Sequence, residues 1–584
     1  MSYLLECAIG PVQDFIAAAR RSRDLYFGSW MLSELSKAVA KALADSNSQL
    51  VFPTPIQPGD LEPESQFNAP NKVVAVIDVA PDAVGISVEQ AVRKRLSELR
   101  DHAFGAVGSK SLFKRKLAEA QVNDLLEFYW VGIEFDGTDE GYVRAREMAE
   151  RGMSARKVTR NFDSFPGEPL PKSSLDGVRE SVIDENAYPT PGADDAEKEV
   201  KTKAIYRNFK ARPAERLSGV DLLKRLGNSK PFPSTSHMAA LPFLCRVDRV
   251  GKAGNRDDLL AAIRTLLDEQ DVPSDEKDGA LLFSSRLAEW IPDQDKLDRV
   301  KLALEDILGK FAGQARPHPY FALLLADGDS MGATIDNQTT ISAHQALSLA
   351  LSQFASGVEE IVRKYEGALI YSGGDDVMAY LPLHTALDCA KELAERFEKQ
   401  MRDFKNKDEK SPTFSAGIVV AHHLQPLQDT LELARLAEKA AKAVDGKKAL
   451  AITVSKRSGA DRMIMGKRTE IMERLATMIC WRRSKVISAG TPYELQKLHQ
   501  VLGESPGLKD AMLKEALRIV ERKRESGGAK LDKKKREKIL AEFEKWLKTD
   551  NVSLVEIAHE MIVASEFAAA MDMAGVAEKE CFPS

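Results

Sequence analysis

Two short acidic motifs define the chemistry open to this chain. The apolar run FALLLADGDSMG brings Asp327 and Asp329 to its C-terminal end, among the small residues Gly328, Ser330 and Gly332. Further along, ALIYSGGDDVMAYL sets Gly373 and Gly374 between two apolar strand-like runs, with Asp375 and Asp376 at or just past the tip. Paired glycines that both accept positive φ predict a two-residue hairpin. If the first strand lies beside that hairpin, Asp327, Asp375 and Asp376 converge on one spot, where three carboxylates repel unless a cation joins them. Magnesium or manganese suits such a cluster, because each takes hard oxygen ligands and shares them with substrate phosphates. Two such ions clamp an in-line displacement, which points to metal-dependent nucleotidyl transfer.

The expected catalytic residues are Asp327, Asp375 and Asp376, and the expected metal ligands are these three with Gly328. Backbone amides at Gly328, Ser330, Met331 and Gly332 are placed to cradle phosphate, since small side chains permit close approach. Ser372, Gly373 and Gly374 line the hairpin side of the expected nucleotide site. Ser415 in TFSAGIVV ends near the same sheet edge. Lys442 in AEKAAKAVDGKKAL has two readings, a point charge for phosphate or a solvated lysine favoured by a helix C-terminus. Either acidic motif alone reads as an ordinary turn; in this order, separated by a long helix, they read as a site.

The elements that must hold these residues follow from periodicity. A strand (320–326), a helix (342–365), a hairpin (368–381), a helix (383–401), a strand (413–421), a helix (427–444) and a strand (449–454) form a ferredoxin-like, Palm-type order with an added helix and strand. Near the N-terminus, strands at 3–9, 72–79 and 127–135 with a helix through PVQDFIAAARRSRDLYFGSW suggest a first such unit. Polar, Pro-containing sequence from 167 to about 218 reads as a linker, 219–310 as amphipathic helices, and everything after 457 as helical. The fold class is therefore α+β: two ferredoxin-like Palm domains with helical domains between and after them. The expected domains are 1–165, 166–310, 311–457 and 458–584.

Composition narrows the class. A chain of 584 residues exceeds one hydrophobic core. With 43% hydrophobic and 29% charged residues it reads as globular, and its net charge of −5 leaves any nucleic-acid surface as a local patch. The five cysteines form no CxxC pair, against a zinc knuckle or a disulfide framework. No basic leader and no run of ~18 apolar residues is present, so a cytoplasmic protein with no membrane partner is expected. Asp14, Arg20, Arg21, Arg23 and Asp24 either face a partner or RNA or form a solvated helix face. The run Arg522 to Lys538 reads as exposed surface rather than an RNA contact, and His422 and His423 as structural, with no ligand partners at suitable spacing.

These residues together resemble the large Palm-domain subunit of type III CRISPR RNA-guided effector complexes, in its Cmr (type III-B) branch. The resemblance is carried by GPVQDFIAAARRSRDLYFGSWMLSEL, ERLSGVDLLKR, KPFPSTSHMAAL, DGDSMG, YSGGDD, FSAGIVVAHH and AVDGKKALAITVSKRSG, and it covers most of the chain. It implies two Palms of which only the GGDD-bearing one is catalytic. It also implies conversion of ATP to cyclic oligoadenylate when a guide CRISPR RNA pairs with a target RNA, and other Cmr-type subunits as partners. Two departures are expected: no HD nuclease domain, since the chain opens on the first Palm without a His-Asp pair, and no zinc, since Ser173, Asp176 and Ser218 stand where relatives carry cysteines. The rival readings are a catalytically silent RNA-binding scaffold and a GGDEF-like diguanylate cyclase.

Overall fold

In the computed structural model the described residues are 2–159, 167, 169–227, 231–268, 270, 272, 278–503, 508–522, 533–548, 550 and 552–577. Among the described residues ten strands form two sheets. The first contains β1 (Ser2–Gly10), β2 (Gln49–Phe52), β3 (Lys72–Ile77) and β4 (Glu127–Phe135), in the order β2-β3-β1-β4. All of its neighbours are antiparallel, the ferredoxin-like arrangement. The second contains β5 (Tyr320–Asp329), β6 (Ala368–Gly373), β7 (Asp376–Leu381), β8 (Thr413–His422), β9 (Ala449–Ser455) and β10 (Arg462–Lys467), in the order β10-β9-β8-β5-β7-β6. Its strands β6-β7-β5-β8 repeat the first topology; β9 joins parallel to β8 through the helix Leu427–Ala443, and β10 is antiparallel to β9.

Alternation along β5 explains how the second sheet is covered on both faces. Ala322, Leu324 and Ala326 point to the helices Ile341–Lys364 and Ala386–Gln400, where Phe354, Leu393 and Phe397 complete one core. Phe321 and Leu323 point the other way, to the helix Leu427–Ala443 and to a helical domain that includes Thr235–Val250 and Gln294–Ala312. The helix Leu554–Ala574 is apolar on nearly every side and is correspondingly buried, packing on the helices Arg468–Arg483 and Thr235–Val250. Its one buried acid, Glu560, receives bonds of 2.7–3.1 Å from Arg474.

Three expectations need correction. β10 interrupts the tract expected to be wholly helical after 457; its RMIMGK sequence, exposed at Met465, gives a weak strand signal that pairing with β9 completes. The stretch expected as a linker is ordered: Val182, Ile183, Tyr188 and Leu217 enter the first core, and Asp195–Phe209 is a helix. That core runs on to Leu223, past the expected boundary at 165. Most of the Arg522 to Lys538 run lies outside the described residues.

The two Palms touch directly. The helix Asp139–Val158 covers the outer face of the first sheet and reaches the second Palm, where Tyr142 Oη lies 2.7 Å from His344 Nδ1. Arg146 donates to the carbonyls of Ile335 and Gln338 and to Asp336 at 2.9–3.3 Å, gripping the loop behind the short helix Met331–Asp336. Gln345 and Ser348 of the second Palm bond the backbone of Leu50 and Thr54.

Candidate active site

Register brings the acids together. β5 and β7 pair with Ala326 opposite Val377, so the next residues along, Asp327 and Asp376, approach at the open end of the ladder. The turn differs from the expected one by a single residue: Gly373 is paired with Asp376 inside the ladder, and Gly374-Asp375 form the two-residue connection. Only Gly374 takes positive φ, at 75°, as a turn with glycine in its first central position requires. Asp375 is thereby folded onto the backbone of β5, where a Cβ on Gly328 would lie 2.9 Å from both Cβ and Oδ2 of Asp375. Gly328 is a residue of contact, and any side chain there would push the acid away.

The cluster carries more negative charge than its surroundings neutralise. Burial pushes the Asp375 carboxyl up to about 6. Burial, then Asp375 and Glu438, pushes Asp376 up to about 7. Glu438, on the helix Leu427–Ala443, is itself raised by burial and by Asp329. One cation enters: Lys442 is ion-paired with Asp327 and lies 3.0 Å from Glu438. Burial, then Lys447, lowers the Lys442 ammonium. Lys442 therefore faces the site rather than bulk solvent. Hard oxygen donors with strained ionisation are a donor set that fits divalent magnesium or manganese, and Asp327, Asp375 and Asp376 are the residues that could hold it.

The remaining expected residues divide. Ser330 is exposed, sits at φ 62° ahead of the short helix, and accepts from Lys447 Nζ at 3.4 Å; Gly332 is also exposed. Met331 turns into the core, with its Cγ packed beside Gly328, 2.7 Å from where a Cβ there would lie. Ser372 and Ser415 are not brought to the cluster by their hydroxyls. Ser372 Oγ donates back to the Ala355 carbonyl at 3.3 Å. Ser415 Oγ donates to Asp329 at 2.8 Å and accepts from the amide of Ala449 at 3.2 Å. Asp329 also accepts from Thr413 Oγ1 and the amide of Lys448, so it locks β5, β8 and the start of β9 together. Sequence reading missed Glu438 and Lys447. Glu438 precedes Lys442 by one helical turn, a spacing that signals an ordinary surface ion pair.

Other candidates resolve structurally. Asp24 is fully buried and takes two 2.8 Å bonds from Arg225, so it faces neither a partner nor solvent. Arg20, Arg21 and Arg23 line a cavity of about 530 Å³ that also meets Phe321 and His423, at the far end of β5 from Asp327. His423 is buried against Phe283 and bonds Ser236; burial, then Arg286, pushes it down to about 3. Ser173 and Ser218 both donate to the buried Asp221 at 2.6–2.7 Å.

The chain is similar to known proteins along both sheet-bearing regions. The family described as Cas10/Cmr2, second palm domain, matches residues 320–451. The family described as CRISPR-associated protein Cmr2, N-terminal, matches residues 4–101. The chain is 26% identical over 559 residues to the "CRISPR system Cmr subunit Cmr2" of Pyrococcus furiosus, covering 78% of this chain and 62% of that protein. It therefore spans about three-fifths of that relative's length. A shorter match, 29% identical over 116 residues, reaches the "CRISPR system CMR subunit Cmr2" of Saccharolobus solfataricus, over 20% of this chain and 10% of that one. Among solved structures, the type III-B Cmr-beta complex in the apo state aligns with a TM-score of 0.62 at 14% identity, over 91% of this chain and 78% of that chain. The same complex bound to cognate target RNA gives 0.59 at 14% identity, over 92% and 80%. At that identity the likeness speaks to fold. No described helix is long and apolar enough to cross a membrane.

Proposed function

We propose, from the premise that this chain belongs to the Cas10/Cmr2 family of type III-B large subunits, that its second Palm joins ATP molecules into cyclic oligoadenylate within an RNA-guided effector complex. The observation that supports this reading most is the convergence of Asp327, Asp375 and Asp376, whose hairpin carboxyls are raised by burial and, at Asp376, by the neighbouring acids. Asp327, Asp375, Asp376 and the backbone of Gly328 would hold magnesium or manganese. Such ions supply Lewis-acid polarisation of the phosphate, a lowered pKa for the attacking hydroxyl and neutralisation of departing pyrophosphate. Lys442 moves from its ion pair with Asp327 to the triphosphate as a point charge. Lys447, held over Ser330 at the mouth of the site, adds a second positive contact. The packing of Asp375 on Gly328 keeps the acids at a fixed separation, so little reorganisation is left for the reaction itself.

The proposed partners are other Cmr-type subunits, a guide CRISPR RNA and a target RNA. RNA pairing acts as a switch only if it favours the active arrangement of the Palms over another. The Arg146 contact with the Ile335–Gln338 loop gives the first Palm a physical hold on the catalytic one. The test compares ATP turnover by the lone chain, by the complex with guide RNA, and by the complex with guide and matching target. Product confined to the third supports the reading. Equal turnover in all three removes RNA control, and no cyclic product in any removes the synthase.

A further inference from the structure

Away from the acid cluster, at the base of the same hairpin, three side chains from distant segments meet. Cys245 lies on the helix Thr235–Val250 of the helical domain. Glu366 sits at φ 57° in the turn before β6, and His384 follows β7. Cys245 Sγ is 3.2 Å from Glu366 Oε2 and 3.8 Å from His384 Nε2, and His384 Nε2 is 3.6 Å from Glu366 Oε2. These three are a group whose ligand atoms could hold one metal ion. We propose that Cys245, Glu366 and His384 form a zinc-binding site that staples the helical domain to both ends of the catalytic hairpin.

The separations carry the argument. A point about 2 Å from all three atoms exists near their common plane, close to the ~2.0–2.3 Å that zinc takes from nitrogen, oxygen and sulfur, and a triangle of this size leaves one tetrahedral position open. His384 is 7% exposed, its Nδ1 has no partner, and its Nε2 contacts are longer than an ordinary N–H···O bond. The imidazole is thus aimed at the group without being satisfied by it. The outer groups fit as well. Arg256 donates to Glu366 Oε1 at 3.0 Å, leaving Oε2 turned to the site, and to Cys245 Sγ at 3.5 Å, while its other face is held by Asp248. Ligating carboxylates and thiolates are commonly oriented by donors of this kind. On binding, the Cys245 thiol loses its proton to solvent, and zinc with one thiolate, one carboxylate and a neutral imidazole is a neutral assembly. The expectation of no zinc rested on cysteine spacing along the chain, which cannot register a set drawn from three distant segments.

The test uses cobalt(II) as a visible substitute for zinc on the metal-free full chain, with magnesium in excess to occupy the acid cluster. One equivalent of cobalt is expected to produce thiolate-to-cobalt charge-transfer absorption, and zinc is expected to abolish it. Cys245→Ser should lose the band altogether, His384→Ala should lose it or leave only weak binding, and Arg256→Ala should weaken binding by about 10–100-fold. Far-ultraviolet circular dichroism establishes that each variant is folded. Absence of the band in the folded wild-type chain overturns the site, and so does its persistence in Cys245→Ser, which would place the ion on another thiol. The readout is independent of ATP turnover, so its failure leaves the nucleotidyl-transfer reading untouched.

Discussion

Asp24 and Asp375 are carboxylates of the two Palms, the first fully buried and the second half-buried, and their surroundings are opposite. Asp24 lies in a closed network: Arg225 bonds it twice, bonds Glu215 on its other edge, and Glu215 in turn receives Arg21. Burial would raise Glu215, but Arg225 and Arg21 outweigh it and hold that carboxyl well below its ordinary range. Asp376 instead has Asp375 and Glu438 as its charged neighbours, and Lys442 is committed to Asp327. The same topology therefore carries one set of acids built into the fold and one set left to seek a ligand. The first Palm has no tight acidic turn at all; its β2–β3 connection is long and is tied down by Asp60, Glu34 and Lys37. A buried charge marks function only where its counter-charge is missing.

The contrast is broken most severely by emptying the second cluster. Asp375→Ala with Asp376→Ala should lower product formation by the activated complex at least ~1,000-fold, as expected for loss of ions that stabilise several kcal/mol of transition-state charge. Urea denaturation of the same variant should show a chain no less stable than wild type. The mirror experiment is Arg225→Ala, which strands Asp24 and Glu215; denaturation should show a loss of about 3–5 kcal/mol.

A smaller effect sharpens the contrast through pH. The Asp375 and Asp376 carboxyls sit at about 6 and about 7 in the folded chain, above the ordinary carboxylate value. The folded state binds their protons more tightly than the unfolded state does. Their contribution to stability is fully present below about pH 4 and is lost as pH rises through 6 to 7. At pH 8 without divalent ions, Asp375→Asn should therefore stabilise the chain by about 1–2 kcal/mol, a gain that saturating magnesium should reverse. Thermal melting with and without magnesium reads both. The smallest expected effect is that of Ser415→Ala, about 1 kcal/mol of stability from loosened strands, with nucleotide affinity unchanged by calorimetry.

The order of strands and helices from β5 to β9 was legible because apolar periodicity and glycine turns are local signals. The three acids were legible for the same reason, since a strand end and a hairpin tip announce themselves. What was not legible depended on partners far away in sequence. β2 is four residues long and exists because β3 accepts it. Asp329 and Asp327 stand two residues apart on one strand, yet one is riveted by Thr413, Ser415 and Lys448 while the other faces Lys442; only the packed strands separate their roles. Asp24 read as a surface acid because Arg225, which buries it, lies in a segment that sequence alone assigned to another domain.

The helix Leu554–Ala574 also fixes an order of events during synthesis. Its partners Thr235–Val250 and Arg468–Arg483 leave the ribosome well before it does, and the separation from the first of them amounts to roughly 15–60 s at ~5–20 residues per second. Throughout that interval the apolar faces it will cover are open to water and to other chains. The catalytic Palm can form its sheet early, but its surrounding shell closes only at the end of translation. A nascent chain arrested just after Lys548 should accordingly be cut by protease within the Thr235–Val250 and Arg468–Arg483 helices, while β5 to β8 stay protected.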